Sequence, residues 1–214
     1  MQIKELTIYV GNYNETRKFY EEVMGLNVYK ESKQQITFQV GTSLLTIQEE
    51  IEQASFYHFA INIPPNLLQS AKVWLSNRVK LAMEEGEDEA DFKEAKAKAI
   101  YFEDPSGNIV ELIARKTSAV ASESHFHKAH FLNISEVGIA TNHIIELAQQ
   151  LQDKGIPVRN NESIKHEKYL NFFGEYDDGV YIIVAPVGRR WIFSNKYAKE
   201  APIVIRTDRG TIQS

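Results

Sequence analysis

The order of periodic segments constrains this chain more than any single residue does. Residues 3–10 alternate as a strand, residues 14–23 carry a helical period that ends at Gly25, and 26–31, 35–40 and 43–48 read as three further strands, the last two joined at Gly41-Thr42. That β-α-β-β-β order then returns. Residues 56–63 read as a strand, 66–79 as a helix, 80–83 and 97–102 as strands, and 108–115 as a last strand behind the turn Asp104-Pro105-Ser106-Gly107. A fainter third copy runs through 131–141, a helix over 143–154 ending at Gly155, then 157–160, 169–175 and 180–187, with a closing strand at 203–206. One βαβββ unit leaves a sheet face that it cannot cover alone, so such units have to pair. The expectation is an α+β protein in which paired βαβββ modules over residues 1–115 form a cupped mixed sheet. Residues 116–130 read as a small polar linker. Residues 131–214 read as a third βαβββ-like module of structural role, which packs on the first domain, on the terminal segment or on a second subunit in a homodimer.

Composition excludes several classes. The 214 residues carry a net charge of -5 and no Lys/Arg block, so a nucleic-acid partner has no electrostatic support. No cysteine is present, which removes disulfides, thiolate metal sites and cysteine nucleophiles together. No run approaches the roughly 20 apolar residues of a membrane span, and the opening MQIKELTIYV reads as a charged strand rather than a signal, so a cytoplasmic location is the expectation. The seven acidic residues between Glu84 and Glu94 read as a solvated loop. His125, His127 and His130 fall in the linker with no acidic partner at fixed spacing and read as a solvated loop too.

One carboxylate stands out. Alternation in the last strand of the second copy puts Ile109, Glu111 and Ile113 on one side and Val110, Leu112 and Ala114 on the other, so Glu111 lies on a strand with no polar face. A buried charge costs several kcal/mol unless it is paired, hydrogen-bonded or metal-bound. In the first strands of the two copies, Glu5 and His58 occupy matching positions on the less apolar side. If the two copies pair about a pseudo-twofold axis, Glu5, His58 and Glu111 converge. Two carboxylates in one cup repel unless a cation lies between them, and an oxygen and imidazole set suits Mn, Fe, Co, Ni or Zn. Thr7, Tyr9, Thr46, Gln48, Asn62 and Tyr101 share the cup face by alternation. Of these, Tyr9 and Tyr101 are candidate catalytic donors, and Thr7, Thr46, Gln48 and Asn62 candidate substrate contacts.

The chain resembles the vicinal oxygen chelate superfamily, which includes glyoxalase I, fosfomycin-resistance enzymes, bleomycin-resistance proteins and extradiol dioxygenases. The resemblance covers residues 1–115. It rests on Glu5, fourteen residues before the FY of RKFYEEVMGL, on His58 in FYHFAIN, and on Glu111 in FEDPSGNIVEL. It implies a divalent metal held by Glu5, His58 and Glu111 and a small substrate that chelates it through adjacent oxygens. Two departures qualify it. Relatives that cleave rings or modify fosfomycin usually have His where Glu5 stands, and Thr46 occupies the place of the fourth ligand of glyoxalase I. The third copy carries Glu136 at the position of His58 but Ile183 at that of Glu111, so it is expected to be metal-free. The leading functional expectation is a metal-dependent enzyme. The alternative is a metal-free protein that binds or sequesters a small molecule, as bleomycin-resistance proteins do.

Overall fold

The computed structural model describes residues 1–50, 55–116, 121–165 and 169–214. The first unit forms as its periodicity predicts. Strand β1 (Ile3–Val10) leads to helix α1 (Tyr13–Lys18), whose last turn widens into a π-helix over Phe19–Val23, and then to β2 (Asn27–Ser32), β3 (Gln35–Val40) and β4 (Ser43–Glu49). Gly25 ends the helix at a φ of +69°, a conformation that glycine adopts without strain. The second unit contains β5 (His58–Ile63), α2 (Leu68–Ser76), β6 (Ala90–Phe92), β7 (Ala97–Glu103) and β8 (Ile109–Arg115). The third contains β9 (Asn133–Thr141), α3 (Ile144–Asp153), β10 (Asn171–Phe173) and β11 (Tyr181–Pro186), and a hairpin of β12 (Ile203–Thr207) and β13 (Gly210–Gln213) follows.

These strands form two mixed sheets. The six-stranded sheet runs β13-β12-β1-β4-β3-β2, and the seven-stranded sheet runs β10-β11-β9-β5-β8-β7-β6. The second unit therefore pairs with the third through the antiparallel contact of β5 with β9, and the first pairs with the terminal hairpin through β1 and β12. The expected pairing of the first two units is thus corrected. Both arrangements join two first strands, and periodicity says nothing about which first strands meet.

Four local expectations also change. The acidic stretch contains β6, a three-residue edge strand; its shortness and the charge of Asp91 are devices that protect a sheet edge. Residues 80–83 and 157–160 make no strand; Leu81 forms an isolated bridge to Phe102, and Val158 one to Phe173 before a 3-10 turn over Arg159–Asn161. The terminal segment forms a hairpin rather than one strand. Of the expected linker, residues 117–120 lie outside the described residues, and Lys128–His130 form one 3-10 turn.

One large apolar cluster joins the sheets to the helices, drawing Leu6, Ile8 and Val10 from β1, Phe59 and Ile61 from β5, and Ala148 and Leu151 from α3. A second, smaller cluster lines the other face of the seven-stranded sheet. It includes Ala60, Tyr101, Ile109, Ile113, Ile183, Trp191 and Phe193. The joint between sheets is tight at Gly41, where a Cβ would lie 1.9 Å from the Leu132 carbonyl oxygen, while the Thr42 amide donates to that same oxygen at 2.9 Å.

Candidate metal centre

The turn at Asp104-Pro105-Ser106-Gly107 fixes the strand that carries Glu111. The Asp104 carboxylate accepts from the amides of Ser106 and Asn108, from the Asn108 side chain and from the Tyr20 hydroxyl. Gly107 takes a φ of +77° that closes the turn. The Asn108 side-chain oxygen accepts from the Tyr57 amide at 2.9 Å, and the Ile109 amide donates to the Tyr57 carbonyl at 2.7 Å. These bonds lock β8 against β5 in parallel register, with Glu111 beside Ala60, and against β7, with Glu111 opposite Tyr101.

On the other side of β5, the register places Glu136 of β9 opposite Ala60 as well. His58, two residues before Ala60, points to the same face. The outcome is a cluster of His58, Glu111 and Glu136, one ligand atom of each lying within 4.8 Å of the others, and all three side chains are buried.

His58 Nδ1 lies 3.2 Å from the Ile109 carbonyl oxygen, a hydrogen bond that assigns the proton to Nδ1 and leaves the lone pair on Nε2. Nε2 faces Glu111 Oε2 at 3.6 Å, too far for a hydrogen bond. The other Glu111 oxygen, Oε1, is buried with no hydrogen-bond partner. Burial pushes the Glu111 carboxyl well above its ordinary value and the negative charge of Glu136 adds to this, while Arg115 and a hydrogen bond from Tyr101 oppose it. Burial lowers the His58 imidazole, which keeps it neutral and able to act as a ligand. A neutral imidazole with a free lone pair, a carboxylate with an orphaned oxygen and a second buried carboxylate form a donor set that fits a divalent cation.

The cluster lies in a cavity of about 570 Å³ lined by aromatic side chains, including Phe92, Tyr101, Phe172, Tyr181 and Trp191. Residues 188–198 fold over it as a hairpin held by bonds between Gly188 and Ala198, Arg189 and Ala198, and Trp191 and Lys196. Its Trp191 ring lies 4.8 Å from the His58 ring, and Phe193 stacks on Tyr101 at 4.7 Å and 7°. Arg190 pairs with Glu84, and Lys196 Nζ donates to Glu103 at 2.7 Å, so the hairpin is tied to the second unit at both ends.

The structure brings together three of the residues expected in the site: His58, Glu111 and Tyr101. It places Glu5 elsewhere, in the other sheet, where its carboxylate accepts from Thr46 at 2.7 Å and faces Arg206 at 3.3 Å. A guanidinium there meets the charge for which a metal was expected. Thr7, Tyr9, Thr46 and Gln48 stay with Glu5 on the six-stranded sheet; Thr46 bonds Thr37 at 2.8 Å and the Tyr9 amide donates to the Tyr57 hydroxyl. Asn62 lies on β5 outside the cavity and bonds Asn133 at 3.4 Å. The third unit, expected to be structural, supplies Glu136, while Ile183 lines the cavity wall. The equivalence of Glu136 with His58 was visible in the repeat, and only the wrong pairing hid its meaning. Arg115, whose guanidinium pairs with Glu136, and Trp191 gave no such signal.

Comparisons with known proteins agree with this architecture. The family model for a toxoflavin-degrading enzyme matches residues 134–189, the segment that supplies Glu136 and the start of the covering hairpin. Metallothiol transferase FosB of Staphylococcus haemolyticus is 30% identical over 117 residues, 51% of this chain and 81% of that protein. FosB of Staphylococcus epidermidis is 29% identical over the same shares. Glyoxalase I from Zea mays matches in fold with a TM-score of 0.58 at 16% identity, over 96% of this chain and 75% of that one. With its repeated βαβββ units, its curled mixed sheets and these relatives, the chain belongs to the vicinal oxygen chelate superfamily of glyoxalases, bleomycin-resistance proteins and dioxygenases.

Proposed function

We propose that this protein is a metal-dependent enzyme that acts on a small, oxygen-bearing substrate in the cup of its seven-stranded sheet, with His58, Glu111 and Glu136 holding one divalent ion. The observation that carries the reading is the opposition of His58 Nε2 and Glu111 Oε2 at 3.6 Å, beside an orphaned Glu111 oxygen. An ionised Glu111 there needs a proton or a counter-charge, and a divalent cation supplies the charge while taking the lone pair of His58 Nε2. Bound there, the ion supplies Lewis-acid polarisation of substrate oxygens. The chain's own groups do the rest. Burial keeps the Tyr101 phenol protonated and thus a hydrogen-bond donor beside Glu111. Trp191 and Phe193 exclude water from one side of the cluster, and the cavity, at about 570 Å³, has the size of a small-molecule site.

One observation favours a second reading, a metal-free binding protein: Arg115 already neutralises Glu136. Elemental analysis of tagless protein separates the two. Near one transition metal per chain, lost in Glu111→Gln and Glu136→Gln but retained in Glu5→Gln, supports the enzyme reading. Metal absent after soaking with Mn, Fe, Ni and Zn refutes it, and loss in Glu5→Gln alone refutes the assignment of the cup.

A further inference from the structure

Arg115 is a buried guanidinium beside a cluster suited to a divalent cation, at 5% exposure. It stands four residues beyond Glu111 on β8, so alternation gives both residues the same face of the sheet. One end of its guanidinium pairs with Glu136, and its carbon lies 5.5 Å from the centre of the Tyr181 ring. Its Nε is buried with no hydrogen-bond partner, so the hydrogen bonding of this group is incomplete.

The six-stranded sheet offers an internal comparison. Thr7 lies beside Thr46 in the parallel β1–β4 pair as Ala60 lies beside Glu111 in β5–β8, which puts Glu5 at the place of His58 and Thr46 at that of Glu111. There the cation is Arg206, directly across from Glu5 on the neighbouring antiparallel strand. Among the described residues no metal-ligand cluster forms on that sheet. In this fold, then, a guanidinium can take the place of an ion at one cup. In the other cup the guanidinium of Arg115 comes from the side and pairs with Glu136, rather than standing across from His58 as Arg206 stands across from Glu5.

We propose that Arg115 is a resident counter-cation that holds Glu136 in the metal-free protein and thereby sets the threshold at which the cluster takes up a divalent ion. The inference rests on the metal reading of His58, Glu111 and Glu136. Two effects act in the same direction. A positive charge near a divalent ion repels it in a medium of low effective dielectric. Pairing with Arg115 also stabilises Glu136 before the ion arrives, so part of the binding free energy goes into loosening that pair. Arg115 is a positioning residue here, and its consequence is a similar weakening of every divalent ion, so that the cluster fills only above a set ion concentration.

The test is calorimetric titration of chelator-treated, tagless protein with Zn²⁺ and with Mn²⁺, on wild type, Arg115→Met and Arg115→Lys. The Met variant is expected to bind each ion tighter by about tenfold or more, and the Lys variant, which keeps the charge, to stay near wild type. Should the Met variant not fold, Arg115→Gln, which keeps a donor for Glu136 without the charge, carries the same expectation. Wild type binding with no tightening in the neutral variant overturns the proposal and leaves the enzyme reading intact. Binding only in the neutral variant supports the proposal and removes the enzyme reading. Binding in neither overturns both.

Discussion

Gly138 on β9 lies directly beneath Trp191, and replacing it with alanine tests whether that indole is seated over the cluster as described. A Cβ at Gly138 would lie 2.7 Å from Cη2 and 3.1 Å from Cζ2 of Trp191, closer than side chains tolerate. The backbone there is an ordinary strand with no positive φ, so alanine adds no strain and gains about 0.4–1 kcal/mol by restricting the unfolded chain. Against that gain, forcing a packed side chain to shift costs about 1–3 kcal/mol. Complete ejection of the indole sets a ceiling of about 4–6 kcal/mol, from roughly 150–250 Å² of lost burial at about 25 cal/mol/Å². The expected net loss is about 1–2 kcal/mol in urea denaturation, with a red shift in tryptophan emission as Trp191 moves toward water. The double variant Gly138→Ala, Trp191→Phe, with a smaller ring, should recover most of the loss relative to Trp191→Phe alone. A Gly138→Ala protein as stable as wild type with unmoved emission would refute the seating of Trp191.

Glu111 provides a pH test. Its folded pKa is raised, so between the ordinary carboxylate value and that raised value the folded state holds a proton that the unfolded chain has released. Its contribution is therefore full at acid pH and lost as pH rises through the folded value. Metal-free protein should lose stability across that window, and the slope attributable to Glu111 should vanish in Glu111→Gln. Asp104→Ala leaves the buried Tyr20 hydroxyl and Asn108 amide without an acceptor, and a loss of about 3 kcal/mol in thermal or urea unfolding is expected. A loss below about 1 kcal/mol would mean that the turn is not what fixes β8.

The repeat made most of the elements legible. Strands with clear alternation and helices closed by Gly25 and Gly155 lie within a few residues of their expected places, because local periodicity and turn chemistry determine them. What local signals do not carry is partner choice between first strands. Glu5 and Glu136 stand at equivalent positions, and the sequence does not say which of the two crosses to His58. That is decided by long-range packing: β9 follows β5 into one sheet, and β12 returns to β1. Glu111 was readable because a carboxylate in an apolar strand is a local anomaly. Arg115 was not, since arginine at the end of a strand usually reaches solvent, and only the side of the cup it enters shows otherwise.

The sheet order also bears on how the chain reaches its folded state. The seven-stranded sheet draws on residues 58–186, whereas the six-stranded sheet waits for β12, since β1 pairs with a strand about two hundred positions later. Closing so long a loop is entropically costly and slow relative to local pairing. The cup with the His58 cluster can therefore assemble during synthesis while β1 still presents a bare edge. That edge, with its run of Leu6, Ile8 and Val10, is the segment most exposed to mispairing until the last strands arrive. A variant that loosens the β12–β13 hairpin should thus lower soluble yield well before it alters the cup.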